Sequence, residues 1–71
     1  MRISILNPKG VYMNITPTLR EIVPYGTILE KIPHEAKYHS KFKSLGIDRV
    51  YIIDNTMLAK KIELGQINVL E

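Results

Sequence analysis

The chain has 71 residues, of which 45% are hydrophobic and 24% charged, and its formal net charge is +3 at pH 7. This composition is typical of a globular domain and argues against a disordered chain, because apolar residues occur along its whole length. The absence of cysteine excludes disulfides and thiolate metal sites, and no apolar run reaches the roughly 18 residues that a membrane span needs. We therefore expect one small domain, residues 1–71, that is located in the cytoplasm.

The small size of the chain limits the core that it can bury. A single core of this size rarely supplies more than about 3–5 kcal/mol, and small domains compensate with disulfides, a structural metal or association. Because disulfides are excluded, we expect the chain to rely on close packing or on a second copy of itself, and we favour a homodimer.

Residues 2–16 are predicted to form a β-hairpin. Apolar and polar residues alternate in the segments 2–6 and 11–16, which is the two-residue period of a half-buried strand. The segment 7–10 between them reads Asn-Pro-Lys-Gly and suits a type I turn.

The segment 18–33, TLREIVPYGTILEKIP, contains one pattern twice. Thr18 and Thr27 are each followed three residues later by a glutamate, which is the capping-box signature of a helix start. Each copy then ends at a proline, which disfavours helical geometry in the residue before it. We predict two short capped turns that wrap the sheet, with a break at Pro24–Gly26.

Residues 34–45, HEAKYHSKFKSL, are predicted to form a basic helix. Tyr38, Phe42 and Leu45 fall at i, i+4 and i+7 and would form one apolar stripe. The flanking proline and glycine suit the first helical position and the residue beyond the helix end.

The C-terminal third is predicted to contain a strand, a helix and a strand. The apolar run at 50–53 is typical of a central strand. Residues 57–64 fit a helix that Asn55 or Thr56 caps, because helix formers dominate there, but their apolar residues also fit a strand. We favour the helix, followed by a strand at 67–70. The expected fold is α+β, with a mainly antiparallel sheet of three to four strands, the N-terminal hairpin, and one or two helices packed on one face.

The sequence carries no strong signature of an active site. His34 and His39 flank a glutamate, as in zinc proteases, but they are five residues apart, whereas the metal motif needs a spacing of four on one helix face. There is no nucleophile elbow and no glycine-rich phosphate loop. We therefore predict a non-enzymatic protein without metal or cofactor. The enzymatic alternative is an RNA-cleaving site that uses His34 or His39 with a lysine.

The basic residues of the predicted helix are the strongest functional signal. We expect Lys37, Lys41 and Lys43 to contact a macromolecular partner, with Tyr25 as an anchor on its turn. We favour a protein over a nucleic acid, and an accessory, regulatory or inhibitory role of the kind that mobile elements also encode. An edge strand at 2–6 or 67–70 offers a second binding mode, the addition of a strand to a partner.

The alternative function is that of a small DNA- or RNA-binding regulator. In this interpretation the 34–45 helix presents its cations to phosphates, while an exposed aromatic ring stacks on a base. The residues assigned to this surface are His34, Lys37, Lys41 and Tyr38.

Overall fold

The computed structural model describes residues 1–71 as seven strands and one helix. The strands are β1 (Arg2–Ile5), β2 (Val11–Thr16), β3 (Leu19–Val23), β4 (Ile28–Ile32), β5 (His39–Ser44), β6 (Val50–Asp54) and β7 (Ile67–Val69). The helix, α1 (Asn55–Glu63), connects β6 to β7. The expected fold class is therefore wrong, because a seven-stranded antiparallel sheet with one short helix replaces three to four strands with one or two helices.

All seven strands belong to one sheet, in the order β3-β2-β6-β5-β4-β1-β7, and every neighbouring pair is antiparallel. The helix contacts both β6 and β7, although three strands lie between them in the sheet. In a flat sheet these two strands would be about 19 Å apart, at about 4.8 Å per step. The sheet is therefore curled around its inner face, and the helix lies across the open side.

The N-terminal segment forms both predicted strands but not the predicted hairpin. β1 pairs with β4 and β7, whereas β2 pairs with β3 and β6. The turn itself forms, because the backbone N–H of Gly10 donates to the carbonyl of Asn7 at 2.9 Å. Neighbouring strands rotate by about 20–25°, so the four steps between β2 and β1 amount to roughly a right angle. The turn carries the chain around this corner instead of folding it back on itself.

The doubled segment forms two strands instead of two capped turns. β3 and β4 are each five residues long, and neither Thr18 nor Thr27 caps a helix. The hydroxyl oxygen of Thr16 instead accepts hydrogen bonds from the backbone N–H groups of Thr18 and Leu19, at 3.4 and 3.1 Å. The break at Pro24–Gly26 is confirmed as a turn. Isoleucine and valine are frequent in both segments, and such residues pack well on a pleated surface.

The basic helix predicted at 34–45 is absent, and residues 39–44 form β5 instead. The inward residues of β5 are all buried, and these are Ser40, Phe42 and Ser44. Its outward residues are His39, Lys41 and Lys43. Two of these buried residues are polar serines, so apolar and polar residues do not alternate along β5 as they do in a typical half-buried strand. The helical spacing of the apolar residues in this segment is a coincidence.

The strand, helix and strand predicted for the C-terminal third are confirmed. The predicted cap, Asn55 or Thr56, is wrong, because both residues are inside the helix. The helix cap is Asp54, whose Oδ1 accepts hydrogen bonds from the backbone N–H groups of Thr56 and Met57 at 2.8 and 3.2 Å. At the other end, Gly65 has a φ of +75°, and the N–H groups of Gly65 and Gln66 bond to carbonyls of the last turn. This is the usual way in which a glycine ends a helix.

One hydrophobic core fills the inside of the curled sheet. Every strand and the helix contribute to it, and its residues are Ile3, Ile5, Val11, Met13, Val23, Leu29, Phe42, Tyr51, Ile53, Leu58 and Ile67. The two strands without a second neighbour are β3 and β7. The prediction of an edge strand at 67–70 is thus confirmed, whereas β1 lies between β4 and β7 and is not an edge.

Candidate functional site

Two grooves lie at opposite ends of β5 and β6. The first, which we call the polar groove, has a volume of about 340 Å³ and is lined by Asn14, Thr16, Pro17, His34, His39, Ile52 and Asp54. The second, the end groove, has a volume of about 520 Å³ and is lined by Pro24, Gly26, Thr27, Ile28, Ser44, Leu45, Gly46, Ile47 and Tyr51.

Asn55 holds one wall of the polar groove in place. Its backbone N–H donates to the carbonyl of Tyr38 at 2.9 Å, and its side-chain Nδ2 donates to the carbonyl of Lys37 at 3.4 Å. The hydroxyl of Ser40 donates to Oδ1 of the same side chain. These bonds fasten the non-helical segment 33–38 to the start of α1, so that this segment runs past the sheet and places His34 in the groove.

The two histidines line the same groove, which the helical interpretation excluded. A spacing of five residues separates two side chains on a helix, but His34 is on a connecting segment and His39 is the first residue of β5. No group of three or more His, Cys, Asp or Glu side chains is placed to hold a metal ion. The groove therefore has both imidazoles in its lining.

The polar groove offers hydrogen-bond donors and acceptors that have no partner within the chain. Oδ1 of Asp54 is occupied by the helix cap, but Oδ2 receives no hydrogen bond. Nδ2 of Asn14 donates once, to the carbonyl of Thr16 at 3.2 Å, which leaves its second N–H and its Oδ1 available. The imidazole of a neutral histidine adds one donor and one acceptor.

The walls of the end groove are fixed by backbone hydrogen bonds. The N–H of Gly26 donates to the carbonyl of Ile5 at 2.9 Å, which fastens the β3–β4 turn. The N–H of Leu45 donates to the carbonyl of Ile28 at 3.1 Å, and the N–H of Ser44 donates to the carbonyl of Arg49 at 2.9 Å. The groove is therefore already formed in the free chain.

Three apolar side chains of the end-groove lining face solvent, since Ile28, Leu45 and Ile47 are between 40 and 58% exposed. Tyr25, between the lining residues Pro24 and Gly26, is 63% exposed. The hydroxyl oxygen of Ser44, which is buried in the groove lining, has no hydrogen-bond partner. Of these residues only Tyr25 was expected from the sequence, because the two walls are about twenty positions apart in the chain. One wall is at the predicted turn Pro24–Gly26, and the other is at the end of the helix predicted at 34–45.

The structure separates the residues that were predicted to form one surface. Lys41 and Lys43 lie side by side on the outward face of β5, between the two grooves. Lys37 lies on the segment 33–38, where its Nζ is 5.6 Å from the centre of the Tyr38 ring. Tyr25 is beside the end groove, at the opposite end of the sheet. The side chains are thus distributed along β5 instead of sharing a helix face.

No family model, curated protein or solved structure matches the chain. No helix is long and apolar enough to cross a membrane. The function is therefore inferred from the two grooves and from the cations between them.

Proposed function

We propose that the chain is a small non-enzymatic protein-interaction module that binds a larger protein through the end groove. The observation that carries this proposal is the group of exposed apolar side chains around a preformed groove. Apolar patches of this kind commonly mark protein-binding surfaces in soluble proteins. We infer an accessory, regulatory or inhibitory role in the cytoplasm, where a chain without cysteine has no need of an oxidising environment.

The fixed walls of the end groove favour tight binding. A groove that is already formed loses little conformational entropy when a partner enters it. Tyr25 and Ile47 supply exposed apolar contact area beside the groove.

The cations next to the groove suggest the character of the partner. Lys41 and Lys43 form no ion pair within the chain, and the chain carries a net charge of +3. Complementary charge accelerates association and suppresses wrong partners. We therefore propose a partner segment that combines an apolar anchor with acidic residues.

A photo-cross-linking experiment tests the end groove in cells. Benzoylphenylalanine in place of Tyr25 should cross-link to one specific protein, whereas the same residue in place of Tyr38, an exposed tyrosine at the other end of the sheet, should not. Ile47→Ser should then abolish the cross-link. Leu64→Ser is the matched control, because Leu64 and Ile47 are both 58% exposed. Equal cross-linking from both tyrosine positions would contradict the proposal.

A second candidate function, nucleic-acid binding, is favoured by the outward row of β5. His39, Lys41 and Lys43 are successive side chains on one face of a strand, about 7 Å apart, with the exposed ring of Tyr38 next to them in the chain. Such a row could follow a phosphate backbone while the ring stacks on a base.

Fluorescence anisotropy with single-stranded oligonucleotides tests this second candidate. Binding should weaken steeply between about 50 and 200 mM salt. Lys41→Gln and Lys43→Gln should each lower the salt slope by about one, whereas Lys60→Gln on α1 should leave the slope unchanged. Affinity that is independent of salt, or equally sensitive to the control, would reject the row as a phosphate-binding surface.

A further inference from the structure

We infer that the polar groove binds a nucleotide whose base carries an exocyclic amine, with the base in the groove and the phosphate at Lys41. This goes beyond the protein-binding function and uses none of the residues of the end groove. It adds to the second candidate function, nucleic-acid binding, because it names a nucleotide base as the ligand of the polar groove beside the lysine row. It does not depend on that function, because one nucleotide is enough to fill the groove.

The size and lining of the groove suit a flat polar ring. A volume of about 340 Å³ lies in the range of about 300–1,000 Å³ that is common for small-molecule sites. Ile52 and Pro17 provide apolar surface, and His34 and His39 provide imidazole rings. Proteins stack unpaired bases on histidine as well as on the larger aromatic side chains.

The unpaired hydrogen-bonding groups discriminate between classes of ligand. A simple anion such as phosphate offers acceptors alone, and it would be repelled by the free Oδ2 of Asp54. A base edge offers donors and acceptors together. An exocyclic amine can donate to Oδ2 of Asp54, and a neighbouring ring nitrogen can accept from the second N–H of Asn14. The mixture of groups therefore favours a base over a bare anion.

The phosphate of the same nucleotide has a cation within reach. Lys41 points to the outward face of β5, two residues after His39, and it is directly opposite Ile52 in the β5–β6 register. Its ammonium group forms no ion pair within the chain. A phosphate at the side of the groove would meet this charge, and the next phosphate of a longer strand would meet Lys43.

Titration of the ¹⁵N-labelled protein with CMP and UMP tests the inference. The two nucleotides differ only in the base, at two neighbouring positions: cytosine has an amine and an unprotonated N3 where uracil has a carbonyl oxygen and an N3–H. In the same orientation UMP loses the hydrogen bond to the charged Asp54 and turns a donor towards the N–H of Asn14. CMP should therefore bind more tightly than UMP by about tenfold or more. The amide signals of Asn14, His39, Ile52 and Asp54 should shift. Ribose 5-phosphate, which has no base, should bind more weakly than either nucleotide.

Asp54→Asn supplies the decisive variant. Asparagine caps helices about as well as aspartate, so the fold is retained, but an amide N–H₂ takes the place of the free carboxylate oxygen. The preference for CMP over UMP should disappear or reverse. Lys41→Gln should weaken both nucleotides several-fold without changing their ratio, and Lys60→Gln should change neither affinity.

The remaining outcomes overturn the inference or identify the source of the nucleotide. Equal affinity for CMP, UMP and ribose 5-phosphate, shifts that map outside the groove, or no shifts at millimolar nucleotide would each overturn it. A six-residue oligocytidylate that binds much more tightly than CMP, with the gain lost in Lys43→Gln, would identify single-stranded nucleic acid as the ligand. Equal binding of oligomer and monomer would identify the free nucleotide, and the second candidate function would then fail while the base site stands.

Discussion

Gly10 is the residue on which the corner between β1 and β2 depends. Its φ is +80°, in the left-handed region that side chains with a Cβ rarely adopt. An added Cβ would be 2.5 Å from Cγ2 of Ile22 and 2.7 Å from the carbonyl oxygen of Val23. The glycine therefore serves two purposes, because it permits the turn and allows the turn to pack closely against β3.

We expect Gly10→Ala to lower the free energy of unfolding by about 2 kcal/mol or more, through backbone strain together with the collision. Gly26→Ala, at a φ of +85° with open space around its Cβ, should show the cost of strain alone. Gly46→Ala has neither problem and should be nearly neutral. Urea denaturation measures all three, and equal losses at positions 10 and 46 would show that the corner does not depend on glycine.

At the scale of single elements, the segment 33–38 is held by the backbone and the side chain of one residue from another element, Asn55. Asn55 makes its hydrogen bonds from the start of α1 to the backbone of Lys37 and Tyr38 and to the hydroxyl of Ser40. Ser40 is buried, so its hydroxyl depends on this partner. The polar groove thus keeps its shape through a contact between the helix and a loop that has no regular structure.

Asn55→Ala should therefore loosen the segment 33–38 and cost about 1–2 kcal/mol, because a buried hydroxyl loses its acceptor. The backbone relaxation of residues 34–38, measured by ¹⁵N NMR, should show increased fast motion. Thr56→Ala alters an exposed neighbour whose side chain makes no hydrogen bond in the chain, and it should leave the segment rigid. Unchanged relaxation in Asn55→Ala would mean that packing, and not this hydrogen-bond network, holds the segment.

Local sequence patterns predicted the strands and the helix correctly where the buried residues are also the apolar residues. The alternation in β1 and β2, the apolar run of β6 and the helix formers of α1 were visible because their inward residues are apolar. β5 was missed because Ser40 and Ser44 are inward and polar. The pairing of β1 was missed for a different reason, since it depends on the curl of the whole sheet and not on the turn that follows the strand.

The candidate sites were largely beyond prediction from sequence. The polar groove combines residues from three strands, a turn and a connecting segment, and each of them is unremarkable in its own segment. Lys41 and Lys43, named from the sequence, lie between the two grooves, and Tyr25 is next to lining residues of the end groove. Their relative positions could not be predicted, because a helix was expected where the chain is extended.

At the scale of the whole molecule, the curled sheet does not close, and β3 and β7 remain as edges. β3 presents unpaired backbone groups together with the exposed apolar side chains of Leu19 and Ile22. Exposed edges of this kind add strands from other chains unless they are blocked. We therefore propose β3 as the contact of a homodimer in which two edges pair.

Sedimentation equilibrium should accordingly detect a concentration-dependent dimer. Ile22→Lys, on the exposed face of β3, should keep the protein folded and monomeric, because charges on an edge oppose pairing. Asn68→Lys places a charge on the exposed outward face of the other edge strand, β7, and should leave the dimer intact. A monomer at every concentration would remove the homodimer, and loss of the dimer in the Asn68 variant alone would move the contact to β7.

The pairing of β1 with β7 also has a consequence for how the protein is made. β1 comprises residues 2–5 and β7 comprises residues 67–69, yet they are neighbours in the sheet. During synthesis on the ribosome, one side of β1 has no partner until nearly all of these 71 residues have been translated. Contacts so distant in sequence slow folding, and a chain truncated before β7 would expose β1 as a new site of aggregation. Of the seven strands described here, β7 is thus translated last and protects β1, which is translated first.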